Sequence, residues 1–179
     1  MKRTFALAVM RRVLFAVLFV GFSGFVGAGQ APLVHARLSV SCSTCKRGEP
    51  IELLAGIENS SNDVVRVYGD LGWGELAGFV LHIEDANGRS VEAASYDDDM
   101  IVPSTLDDPS YYASLREGHS LWMRRVAVGK ALFPARGTYT IWVSYRSPVP
   151  VALAADRTHF VSREMGYAES RKVKIVVVD

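Results

Sequence analysis

Thr138-Tyr139-Thr140-Ile141-Trp142-Val143-Ser144-Tyr145 is built from β-branched and aromatic residues with one serine, and it is the strongest strand signal in the chain. Ile141 and Val143 share one face while Trp142 takes the other, so one of these sets must meet a core. Working outward, Lys130 to Phe133 is expected as a turn leading into Arg136-Gly137, and Ser120 to Val126 alternates again, with Leu121, Met123 and Arg125 opposite Trp122, Arg124 and Val126. Downstream, Lys172 to Val178 closes the chain as a further strand.

The same period of two recurs upstream. Arg37 to Cys42, Glu49 to Ile57 and Phe79 to Glu84 alternate, in the second of these Ile51, Leu53, Ala55 and Ile57 form one face, and Val64 to Tyr68 reads as a further strand. Asn59-Ser60-Ser61-Asn62-Asp63 is a concentrated turn signal, because short polar side chains bond their own backbone. Asp85-Ala86-Asn87-Gly88 carries the Asn-Gly pair favoured in tight hairpins, with Arg89 to Ala93 expected as the returning strand. Gly69 to Gly78 reads as a long turn. Ser95 to Gly118 and Ser147 to Gly166 are the long irregular stretches, the first offering a short helical turn at Ser110 to Leu115. Seven to eight short strands separated by turns predict an all-β fold, an antiparallel sandwich.

The first 36 residues bear on location. Lys2, Arg3, Arg11 and Arg12 precede an apolar run from Val13 to Val26, and small residues follow at Val26-Gly27-Ala28 and Val34-His35-Ala36. This is the pattern of a signal peptide, cleaved after Ala28 or Ala36. The run is short and glycine-loosened for a membrane span, so an anchored protein is the alternative only if the leader is uncleaved. Residues 37–179 then form one domain, about 145 residues being enough for a core of its own. Of 20 basic and 19 acidic residues, the four basic ones above lie in the leader, which has no acid. The remainder carries 16 against 19, a net charge of −3, which argues against a nucleic-acid partner that must neutralise phosphates.

Cys42 and Cys45 are the two cysteines, and in an exported protein they are expected to pair. A redox CxxC normally opens a helix, whereas this one lies in a β-like run, and a zinc site would need a second ligand pair. His35, His82, His119 and His159 are scattered without ligand spacing.

Several segments carry a resemblance. Ala135-Arg136-Gly137-Thr138-Tyr139 and the strand that follows resemble the late strand of immunoglobulin-like domains. Leu115-Arg116-Glu117-Gly118-His119-Ser120-Leu121 resembles the lead-in to the strand before it, Asn59-Ser60-Ser61 the turn after the second strand, and Gly166-Tyr167-Ala168-Glu169-Ser170 the last turn. Their order is similar to that of the Ig-like pro-domains of secreted deuterolysin-type and peptidyl-Lys metalloendopeptidases, and more loosely to the BsuPI-type proteinase inhibitor domain. The resemblance implies an Ig-like sandwich in which Tyr139, after Gly137, turns its hydroxyl back onto the preceding corner. It transfers no catalytic residue, since the His-Glu-x-x-His segment of the endopeptidases does not occur here.

The candidate site residues are loop residues. Asp97, Asp98 and Asp99 offer hard oxygens that could hold Ca²⁺, but their adjacency does not match alternating ligand spacing, and a solvated acidic loop is the expectation. Trp73, Tyr111 and Tyr112 are candidates for a binding patch, while Trp122 and Trp142 are expected to pack in the core or on a sheet. No Gly-x-Ser-x-Gly elbow is present. The expectation is therefore a secreted or periplasmic, non-catalytic binding module with no cofactor and no bound metal, recognising another exported protein or a surface component. The alternative is an inhibitor or pro-domain-like chaperone of a secreted protease.

Overall fold

The computed structural model describes residues 33–74, 78–93, 106–154, 161–163 and 166–179. All belong to the unit Ala31–Asp179. Residues 1–32 of the expected leader and Asp97 to Asp99 lie outside the described residues.

Two sheets face each other. The first has the order β1-β3-β8, from Val34–Val40, Pro50–Asn59 and Ser120–Val128, paired antiparallel. The second runs β2-β11-β9-β6-β5, from Thr44–Lys46, Val173–Val178, Gly137–Arg146, Gly78–Asp85 and Gly72–Trp73. Its two outermost pairs, β2 with β11 and β5 with β6, are parallel. The short β10 (Tyr167–Glu169) pairs with β9 on the edge that β11 also uses. A separate hairpin-like pair joins β4 (Val65–Tyr68) to β7 (Tyr112–Leu115).

Each strand carries its burial in its parity. Ile51, Leu53, Ala55 and Ile57 on β3 face Tyr139, Ile141, Val143 and Tyr145 on β9 across one core, with Phe79 and Ile83 of β6 and Ile175 and Val177 of β11. Trp142 and Trp122 are on the outward faces. Trp73, expected as a candidate binding residue, belongs to the core instead: it is 1% exposed, its ring 6.0 Å from Phe79, because β5 pairs beside β6 and carries the indole inward.

Several boundaries differ from those the alternation predicts. The returning strand at Arg89 to Ala93 is reduced to a bridge between Glu84 and Ser90, since the hairpin closes on Gly88 (φ 75°) and the Asp85 carboxylate, which accepts the Asn87 and Arg89 amides. Lys130 to Leu132 lie in a single helical turn, α1 (Gly129–Leu132), which Phe133 ends, and a second, α2 (Val151–Ala154), falls in the long connection before β10. Ser110 to Leu115 divides into a 3₁₀ turn at Pro109–Tyr111 and β7.

Candidate functional site

The residues Tyr111 and Tyr112 come together with Tyr68 where β7 pairs with β4. Asp108 starts the 3₁₀ turn by accepting the Ser110 amide at 2.8 Å, and Pro109 sits at its first position, where no backbone donor is needed. Because the turn ends after one cycle, consecutive tyrosines leave it on different sides. Tyr111, 37% exposed, lies nearly parallel over Tyr68 with ring centroids 6.2 Å apart and 12° between planes. Tyr112 meets Tyr68 edge-on at 5.7 Å and donates its hydroxyl to the Leu106 carbonyl at 2.6 Å. Tyr68 is 1% exposed and anchors both with Leu106 and Val149, a small satellite core.

Between these rings and the start of β8 is an open depression of ≈ 350 Å³, lined by Gly69, Asp70, Ser110, Tyr111, Tyr112 and Leu121 among others. Gly69 donates its amide to the Tyr111 carbonyl at 2.7 Å, an approach so close that a Cβ there would stand 3.0 Å from that oxygen. The lining residues combine aromatic and aliphatic carbon with one carboxylate and three hydroxyls, those of Ser110, Tyr111 and Tyr112, and include no histidine or cysteine. Such a surface binds by area and a few oriented polar contacts.

The outward face of β9 carries a second cluster. His82 stacks on Trp142 at 5.0 Å and 16°, its Nε2 is 2.8 Å from the Ser144 hydroxyl, and Lys172 Nζ stands 3.9 Å from the Trp142 ring centre while pairing with Glu84 at 3.2 Å. Burial holds the His82 imidazole below its ordinary value, with Lys172 acting in the same sense and Glu169 and Glu84 opposing. Sequence alternation assigned Trp142 to one face of β9, but the partner strands that make a cluster of it come from distant parts of the chain.

The remaining candidates are structural or lie elsewhere. Cys42, in the link after β1, and Cys45, in β2, form a disulfide with Cα atoms 5.4 Å apart where the chain passes from one sheet to the other. Tyr139 donates its hydroxyl to the Ala135 carbonyl at 2.8 Å and lies over Phe133, and Gly137 before it has φ 151°. Among the described residues no group of three or more His, Cys, Asp or Glu is placed to hold a metal ion, and no helix is long and apolar enough to cross a membrane.

The class that this architecture defines is the immunoglobulin-like β-sandwich: β1-β3-β8 against β11-β9-β6, with a tyrosine bonded back to the corner before the late strand. No family model and no curated protein matches the chain. Among solved structures it is similar to the CARDB domain of the PF1109 protein from Pyrococcus furiosus, in complex with di-metal ions, at 10% identity and a TM-score of 0.38 over 82% of this chain and 89% of that one. It is also similar to β-glucosidases from Listeria innocua, in complex with gluconolactone (10% identity, TM-score 0.41), and from Erythrobacter marinus (9%, 0.41). The chain spans 16% of the length of each of these two enzymes, with 83% and 82% of its own residues.

Proposed function

We propose that this chain is an exported, non-catalytic Ig-like binding module, and that its recognition surface is the tyrosine-walled depression beside β7. The observation that carries this reading is Tyr111, whose ring is held half in solvent on a buried Tyr68 by a capped turn. An aromatic fixed before its partner arrives supplies contact area at small entropic cost. The partner is another exported protein or a surface component.

Export rests on the leader, and the fold favours one of its two cleavage positions. Cutting after Ala36 would remove Val34 and Ala36, both buried in the core from β1, whereas cutting after Ala28 leaves that strand whole. N-terminal sequencing of the native protein should therefore begin at Gly29. A chain beginning at Met1 and recovered with membranes would overturn export as a free domain.

Affinity capture from the native extracellular or periplasmic fraction tests the site. The exported chain should retain a partner that Tyr111→Ala loses by more than about tenfold, as for a central aromatic anchor. Tyr167→Ala, an exposed tyrosine on β10 that does not line the depression, serves as control. Equal retention by Tyr111→Ala would sink the assignment, and capture of an exported protease that loses activity on binding would favour the inhibitor reading.

A further inference from the structure

We infer that two copies of this chain join edge to edge through β8, in an antiparallel pair whose twofold axis passes at Met123. In an Ig-like sheet of order A-B-E-D, the strand preceding E in sequence lies beside it and closes that edge. Here the equivalent β7 pairs with β4 instead, and among the described residues no strand pairs with the outer edge of β8.

The edge is long and regular. β8 has nine residues, contains neither proline nor glycine, and pairs with β3 from Ser120 to Val128 without a bulge. Two bonds at its ends, from the Asn59 amide to the His119 carbonyl and from the Gly129 amide to the Glu49 carbonyl, fix which residues face β3. The odd-numbered residues spend their backbone groups on β3. Those of Trp122, Arg124 and Val126 therefore point to the edge on which no described strand pairs, a ready template for another strand. Their side chains lie on the outward face, where Trp122 is 46% exposed and Val126 51%.

The sequence of this strand selects its own partner. An axis at Arg124 or Arg125 would set a guanidinium against its own copy. With the axis at Met123, Trp122 falls opposite the partner's Arg124 and Ser120 opposite the partner's Val126, so that aromatic and cation meet twice and no like charges oppose. In the single chain both side chains lean onto β3, Arg124 bonded to Glu52 and the Trp122 ring over Gly56, so each must turn outward across the same face to meet its counterpart when the second strand pairs. The contact is isologous and closes on itself, giving a continuous sheet of two β1-β3-β8 units and a reversible dimer.

Sedimentation equilibrium of the exported chain should show monomer and dimer in exchange, and monomer alone at every concentration would overturn the inference. Met123→Cys tests the axis. Residues facing each other there form a close pair suited to a disulfide, and Cys42 and Cys45 are already bonded to each other. A covalent dimer that reductant dissolves is expected, and failure to cross-link would overturn the register. Trp122→Lys and Trp122→Glu remove the same ring but oppose Arg124 with opposite charges. The second should dimerise more tightly by at least about tenfold. Equal affinities would overturn the pairing of Trp122 with Arg124.

Discussion

Tyr139, Asn59 and His82 show how single side chains hold this sandwich. The Tyr139 hydroxyl, on a residue 4% exposed, is spent on the Ala135 carbonyl. Tyr139→Phe should lower stability by about 1–3 kcal/mol without unfolding the domain, as chemical denaturation would read, because it leaves that carbonyl without its donor. Asn59, 1% exposed, uses its amide fully: it donates to the Asp63 and Leu115 carbonyls at 2.7 and 2.9 Å and accepts the Ser61 amide at 2.8 Å. Its turn was legible because Asn followed by Ser bonds locally; that it also reaches β7 was not, since nothing in the order of residues says which distant carbonyl lies within reach. For His82 the sign of the pH dependence follows from burial. Its folded pKa lies below the unfolded value of about 6.5, so the unfolded chain takes up more protons between the two. This contribution is fully present above the unfolded value and declines as pH falls toward the folded one. Denaturation at a series of pH values should show that slope, and His82→Gln should flatten it.

At the scale of elements, the final strand pair makes a device of an irregularity. Glu169 faces Ser144 and Val173 faces Ile141, so Ser170, Arg171 and Lys172 stand against Val143 and Trp142, one residue too many. That bulge separates β10 from β11 and brings Lys172 over Trp142. Ser170 repairs the ladder: its hydroxyl accepts the Val143 amide at 3.0 Å, and its own amide donates to the Val143 carbonyl at 2.9 Å. Ser170→Ala should cost about 1–3 kcal/mol by stranding a buried donor, whereas Ser170→Thr, which keeps the hydroxyl, should cost less; denaturation of both variants separates the lost bond from general crowding. The bulge was illegible because a one-residue offset appears only when two strands are laid side by side. Strands with one face in the core, β3, β8, β9 and β11, announced themselves by alternation. β2, β5 and β10, of two or three residues, did not, because what makes them strands is the neighbour they pair with.

For the molecule as a whole, the order of strands and the late-strand tyrosine were enough to reach an Ig-like sandwich, while the exchange of partner by β7 was not, since β4 and β7 lie more than forty residues apart in the chain. The same limit applied to the site: Tyr111 and Tyr112 were visible as an aromatic pair, but the buried Tyr68 that orients them was visible only as the end of a strand. The disulfide is the one covalent tie, and its loop is so short that removing it as Cys42→Ala/Cys45→Ala should cost only about 2 kcal/mol, measured as a shift in the denaturation midpoint. Its position has a mechanical meaning. β2 runs parallel to β11, joined by bonds such as Val176 amide to Ser43 carbonyl and Arg47 amide to Val178 carbonyl. Tension arriving at Ser43 from the N-terminal side, against a pull on the C-terminal end of β11, slides these strands along each other and loads their bonds together instead of opening them in turn. With the disulfide fastening the first residues of that patch, the point where the chain changes sheets is also where a stretched chain would resist longest.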